Sequence, residues 1–293
     1  MSKKTIVVTG GAGFVGSHLV EALVKDENNH VISLDNYFTG SKDNHIAGAE
    51  YREGHTKDIA TLIPETPDMI YHLGEYSRVR QSLDEPERVW DLNMHGTLAV
   101  LEYWRRTKAK LLYAGSSTKF TDTRDDGVEG RNLAPYTWAK ATNTDLVMNY
   151  ARWYDLSYVT TYFYNVYGPR ELKGKYGTFV AMTKERYEKG ELYAIASPGT
   201  QRRYFTHVKD TVAGILLAME KGEGDGYGIG TDESHSLMEV AEMFGGEIEM
   251  LPQTKSTRST SHVDAEKVQA LGWKPVHTLK EYIEEVKAGK RSS

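Results

Sequence analysis

The 293-residue sequence contains no cysteine. That absence excludes disulfides, thiolate nucleophiles and cysteine-ligated metals. No apolar run is long enough to cross a bilayer. The stretch TIVVTGG that follows the N-terminal lysines is too short for the core of a secretory signal, so the chain reads as cytoplasmic. Positive charge is scattered: 36 Lys and Arg stand against 41 Asp and Glu, a formal net charge of -5. No basic stripe marks a nucleic-acid partner. Internal repeats and low-complexity linkers are also absent. What remains is 39% hydrophobic and 26% charged, the balance of a soluble globular protein. Its length suits one large α/β domain or two smaller ones.

Strand-length apolar runs alternate with helix-length segments through the first half. TIVVTG (5–10) precedes the helical FVGSHLVEALVKD, and HVISLD (30–35) is followed by a polar loop and AEYREG. DMIYHLG (68–74) precedes a long helical stretch over 86–107. AKLLYAGSS (109–117) precedes PYTWAKATNTDLVMNYARWY, and SYVTTYFYNV (157–166) closes the series. Such β-α repetition predicts a parallel sheet with helices on both faces. The pattern is less regular after YGPRE (167–171), with a helix near 178–189, strands at ELYAIAS, YGIGT and EIEML, a helix at SLMEVAEMFG and two C-terminal helices. This half reads as a smaller lobe over the ends of the sheet.

Gly10, Gly13 and Gly16 stand at G-x-x-G-x-x-G spacing between the first strand and the first helix. Glycines there let the turn form and let a pyrophosphate approach the backbone at a helix N-terminus. Asp35 ends the second strand, where a carboxylate can accept both ribose hydroxyls and would repel a 2′-phosphate. The pattern therefore points to NAD rather than NADP. In PYTWAK, Tyr136 and Lys140 lie one helical turn apart just after a proline. Alone, this pair is no more than a tyrosine beside a lysine on a surface helix.

In order along the chain, TGGAGFVGSHL, LDNYFTGSK, KDI, YHLG, NMHGT, AGSS, PYTWAK, YNVYGPRE, QRRYFTHVKD and LGWKP resemble the extended short-chain dehydrogenase/reductase family, in particular its nucleotide-sugar epimerases and dehydratases. The resemblance implies a Rossmann-type doubly wound parallel sheet over 1–166, with a return near 204–231, and a nucleotide-sugar lobe mainly over 167–293. It implies that Tyr136 is the acid/base for a sugar hydroxyl, helped by Lys140 and Ser117. A free phenol titrates near ~10, and a nearby ammonium favours its ionised form. NAD would be held by Gly10, Gly13, Phe14, Val15 and Gly16, by Asp35, Asn36, Thr39 and Gly40, by Asp58, Ile59, Leu73 and Gly74, and by Asn93, Tyr136 and Lys140. The nucleotide sugar would meet Ser117, Thr118, Tyr136, Asn165 and Arg203, with Arg202 a neighbour that confuses the last assignment. Asn93 would brace the active-site backbone, and His72 would be structural. No metal is implied. Family analogy also implies a homodimer through the helices at 86–107 and 135–153.

Several positions depart from the family pattern. Phe120 to Asp122 replace VYG, Tyr162 replaces an arginine, and Thr144 replaces an acid, with Asp145 adjacent. A second phosphate arginine near 254 is missing, with Lys255 or Arg258 as substitutes. Gly74 and Glu75 stand where two small residues belong. A carboxylate beside a pyrophosphate must turn away or pair with a cation, for which Arg78 and Arg80 are at hand. Family dehydratases carry an Asp-Glu pair where this chain has Thr118 and Lys119. The expectation is therefore a 4-epimerase acting on a UDP-hexose, with a 4,6-dehydratase, a uronate decarboxylase or an idle NAD-binding protein as alternatives.

Overall fold

The computed structural model describes residues 3–120, 127–252 and 263–289. Seven parallel strands form the central sheet: β1 (Lys4–Thr9), β2 (Asn29–Asp35), β3 (Glu50–Glu53), β4 (Met69–His72), β5 (Lys110–Ser116), β6 (Tyr158–Phe163) and β11 (Gly224–Ile229). Their order is β11-β6-β5-β4-β1-β2-β3. Strand numbering climbs outward on both sides from the β1–β4 neighbours. Loops leaving these two strands diverge to opposite faces and open a crevice at the carboxyl edge of the sheet.

Strand periodicity sends alternate residues to opposite faces. Ile6 and Val8 pack with Leu19 and Val20 of α1 (Phe14–Leu23) and with Val212 and Ile215 of α7 (Val208–Lys221). Val7 instead packs with Val100 and Trp104 of α4 (Gly96–Thr107) and with Val147 of α5 (Pro135–Tyr154). Both faces are covered, which is why β1 reads as an unbroken apolar run.

The helix expected over 86–107 is interrupted. A short α3 (Pro86–Val89) passes into a π-helical stretch, Trp90–His95, before α4 begins. The wide turn carries Asn93, whose side chain is committed outside the helix, and such π-turns recur at functional positions.

The later part of the chain adds short strands: β7 (Val166–Tyr167) beside β10 (Thr206–His207), β8 (Tyr193–Ala196) beside β13 (Ile248–Leu251), and β9 (Arg202–Tyr204) beside β12 (Ser234–Ser236). They share a core with α6 (Phe179–Lys189), α8 (Leu237–Phe244) and α10 (Leu279–Lys287), built on Val180, Ile195, Phe205, Phe244, Tyr282 and Ile283. Among the described residues no helix is long and apolar enough to cross a membrane.

Candidate active site

One cavity of about 490 Å³ opens over the carboxyl edge of the sheet. Its floor is the turn between β1 and α1. Gly10 has φ +74°, and a β-carbon there would lie 2.9 Å from the Cα of Gly74. A β-carbon on Gly16 would come within 2.0 Å of the Gly10 carbonyl oxygen. Gly13 stands at the N-cap of α1 and has no side chain to cap the first-turn N–H groups. These donors and the helix dipole make an anion site. At the end of β2, Asp35 is buried and accepts from the Ala12 N–H at 2.9 Å and the Tyr37 N–H at 2.8 Å. Burial pushes its carboxyl above the ordinary value, against those two bonds. Its remaining acceptor capacity suits ribose hydroxyls. The residues present thus fit a dinucleotide.

Phe14, Val15, Asn36, Thr39, Leu73 and Gly74 also line the cavity. Gly40 sits just behind Asp35, since a β-carbon on it would touch the carboxylate at 2.8 Å. Asp58 and Ile59 are placed differently from expectation. The 3₁₀ turn Thr56–Asp58 leaves Asp58 exposed and drives Ile59 into the core, so Gly54 and Thr56 supply that part of the wall.

Tyr136 and Lys140 both line the cavity from the first turns of α5, at 9% and 5% exposure. Pro135 opens this helix, and the Thr137 hydroxyl oxygen accepts from the Ala134 N–H at 3.0 Å. Neither side chain is on an outer surface, so the bland reading of the pair as surface residues fails.

The cation that meets Glu75 is Lys140, not Arg78 or Arg80. The Lys140 ammonium donates to Glu75 Oε2 and to the Ala114 carbonyl. Glu75 Oε1 accepts from Thr97 Oγ1 at 2.9 Å, Asn143 Nδ2 at 3.0 Å and the Tyr113 hydroxyl at 3.2 Å. The carboxylate turns into the protein, with a side chain 2% exposed. Burial opposes its ionisation, but the Lys140 charge and the bonded donors win, holding the carboxyl below the ordinary range.

His72 completes the network. Thr97 spends its proton on Glu75, so His72 Nε2–H must donate to Thr97 Oγ1 at 2.9 Å. Nδ1 then accepts from Thr9 Oγ1 at 2.7 Å, and that hydroxyl oxygen accepts from the Gly74 N–H at 3.0 Å. Burial pushes the imidazole down to about 4, so it is neutral and structural, as expected. Asn93 also braces: its amide accepts from Tyr76 N–H at 2.7 Å and donates to Tyr76 C=O at 3.0 Å. Its side chain is fully buried on these two bonds and does not line the cavity.

On the opposite wall, Ser117 at the end of β5 lines the cavity. Thr118 instead is buried on the Ser116 hydroxyl at 2.9 Å. Asn165, with φ +34°, lines the cavity and donates to the Tyr204 carbonyl at 2.8 Å. Asparagine tolerates that left-handed backbone better than most residues. The two neighbouring arginines are told apart by β9. Arg202 points to Ser234 and Glu239, whereas Arg203 lines the cavity.

The model of the NAD dependent epimerase/dehydratase family matches residues 6–230. The chain belongs to that family. NAD is its cofactor. It is 31% identical to UDP-glucuronic acid decarboxylase 6 of Arabidopsis thaliana over 96% of this chain and 87% of that protein. It is 30% identical to a putative UDP-glucose 4-epimerase of Methanocaldococcus jannaschii over 96% of each. Among solved structures, UDP-glucose 4-epimerase of Thermus thermophilus in complex with NAD superposes with a TM-score of 0.87 at 26% identity over 99% of each chain.

Within this epimerase/dehydratase two departures prove to be one. Tyr162 and Thr144 meet through a side-chain hydrogen bond, and the Tyr162 hydroxyl also donates to Asp225 at 2.5 Å. A neutral pair thus fills the place where an arginine and an acid are expected. Arg78, considered from the sequence only as a cation for Glu75, is a cavity residue that no motif marks as a ligand contact. It lines the cavity, with Nε on the Tyr176 carbonyl at 2.6 Å and Nη1 on Ser77 O and Oγ, both at 3.0 Å. It makes no ion pair among the described residues, and the Glu171 carboxylate acts on it only from a distance. Asp122, Lys255 and Arg258 lie outside the described residues.

Proposed function

We propose that this member of the epimerase/dehydratase family is a nucleotide-sugar 4-epimerase acting on a UDP-hexose. One observation carries the reading. Tyr136, Lys140 and Ser117 share a cavity with the dinucleotide cradle, and neither carboxylate on its described wall is available to a sugar. Asp35 lies at the adenosine end, and Glu75 is occupied by four donors. Dehydration needs a group to remove the C5 proton and an acid to expel the C6 hydroxyl. Thr118 and Lys119 supply no carboxylate for either.

In this reading Ser117 hydrogen-bonds the C4 hydroxyl and Tyr136 takes its proton. Lys140 keeps a donor for the cofactor ribose. Asn165 and Arg203 hold the diphosphate, for which an arginine is the stronger anchor. Bound NAD supplies the hydride acceptor and donor. Tyr136 returns the proton to the inverted alcohol. The protein works as a homodimer through α4 and α5, on which Leu98, Trp138 and Trp153 are exposed at 46%, 43% and 56%.

A uronate is the second reading, favoured by Arg78. A cavity-lining guanidinium that makes no ion pair among the described residues, with only the more distant field of Glu171 acting on it, suits an anionic sugar. A 4-keto uronate is a β-keto acid, which loses CO₂ without a C6 acid.

Turnover of a panel of UDP-, GDP- and dTDP-sugars in D₂O, followed by NMR, tests these readings. The expected result is C4 inversion of a UDP-hexose with no deuterium at C4 or C5. Deuterium at C5 with a 4-keto-6-deoxy product would establish dehydration instead. Release of CO₂ from a uronate would establish decarboxylation.

A further inference from the structure

Glu75 stands where the sequence pattern calls for a small residue, yet the structure spends much on it. Four donors from three elements converge on one buried carboxylate: Thr97 from α4, Tyr113 from β5, and Lys140 and Asn143 from α5. The Thr9–His72–Thr97 chain orients one of those donors from behind. A space-filling accident would not need so complete a set.

The charges facing the pair are few. From β4 comes His72, neutral as argued above. From β5 comes Tyr113, whose phenol burial and Glu75 hold well above the ordinary value, so it too is neutral. From α5 come Asn143 and Tyr136, from α4 Thr97, and from the π-turn the Asn93 carbonyl, which accepts from Asn143 at 2.8 Å. Arg78 acts on Tyr136 across the cavity. The Glu75 and Lys140 charges therefore cancel within the cluster. Two of the three ammonium donors are fixed by Glu75 and Ala114, leaving one for the cavity.

We propose that Glu75 is a positioning residue that holds Lys140 as a charge-compensated pair, so that Tyr136 and the cofactor face a neutral lysine–glutamate unit rather than an uncompensated cation. The proposal rests on the reading of Tyr136 as the base. Two effects follow from the sign of the charge. Removing the carboxylate leaves a positive charge beside the phenol, which then ionises more readily. The same charge disfavours the cationic nicotinamide of NAD relative to neutral NADH.

The experiment compares wild type, Glu75→Gln and Glu75→Asp. Calorimetry measures the ratio of NADH to NAD affinity, and the pH dependence of kcat is recorded for the active sugar. Glu75→Gln is expected to raise the NADH:NAD affinity ratio about tenfold and to move the acid limb of kcat down by about one pH unit. Glu75→Asp, which keeps the charge, should restore most of both. An unchanged ratio and profile in Glu75→Gln, with only a lower Tm, would overturn the proposal. If that variant does not fold, Glu75→Gln/Lys140→Gln replaces the pair by two amides. Its affinity ratio should stay within about twofold of wild type, because the net charge is unchanged. A ratio displaced as far as in Lys140→Gln alone would be equally fatal. The affinity ratio needs no sugar, so it reports on Glu75 even if the reaction is not epimerisation.

Discussion

At the scale of single residues, the chemistry depends on what each polar group already touches. The Tyr136 hydroxyl has no hydrogen-bond partner among the described residues, and its backbone N–H donates to Ser82 Oγ at 3.3 Å. Its hydroxyl is free for a ligand. Tyr136→Phe should therefore keep the fold and bound NAD while turnover falls roughly 10²–10⁴-fold, the usual contribution of a positioned proton-transfer group. Near-normal turnover would remove Tyr136 from the reaction. Glu171 is the opposite case. It is half-buried beside the cavity residue Leu172, accepts from Thr178 through Oε1, and has its Oε2 shut off from water. Burial pushes its carboxyl up to about 7. Below the ordinary value of 4.5, folded and unfolded chains both hold this proton. Between there and about 7 only the folded chain does, so this group's contribution to stability falls as pH rises and levels off above that. Glu171→Gln should flatten this part of the profile and raise Tm at pH 8 relative to wild type. A steeper or unchanged profile in thermal unfolding would contradict the assignment.

At the scale of elements, the β1–α1 turn shows how little freedom the cofactor cradle has. The Gly10 backbone occupies the space a Gly16 side chain would need, and backbone atoms cannot rotate away. Gly16→Ala should cost about 1–3 kcal/mol in unfolding free energy through overpacking and should weaken NAD binding. Calorimetry and denaturant unfolding on the same preparation would check both, and wild-type values for each would show that the turn is more tolerant than its geometry. The π-turn is the other instructive element. The 3.6 periodicity of 86–107 is that of one long helix. The wide turn coincides with tertiary bonds that the periodicity does not contain, from Asn93 to Tyr76 and from Asn143 to the Asn93 carbonyl.

At the scale of the whole molecule, α4 and α5 cover one sheet face yet leave large apolar side chains in water. Leu98, Trp138 and Trp153 are the surface a second copy would bury. Sedimentation equilibrium should give twice the 33.0 kDa of one chain. Leu98→Glu combined with Trp153→Glu should shift that mass to the monomer while secondary structure is retained. A wild-type monomer at micromolar concentration would rule out this interface.

The sequence alone determined the sheet, the cradle and the cofactor. These rest on local rules: apolar runs of strand length, glycines at a turn, a carboxylate at a strand end, and a tyrosine and lysine one helical turn apart. Each such signal lies within a few residues of chain, so it can be read without coordinates. The partners of Glu75, the distinction between Arg202 and Arg203, the pairing of Tyr162 with Thr144, and the cavity position of Arg78 were decided only by tertiary structure. Glu75 and Lys140 are 65 positions apart, and Tyr162 and Asp225 are 63. Nearby Arg78 and Arg80 were the cations suggested for Glu75 by proximity in sequence. Strand β4 ends opposite the first turns of α5, however, and burial leaves a carboxylate there no water to turn to. It takes the ammonium the fold delivers, because an unpaired buried charge costs far more than the exchange of one partner for another.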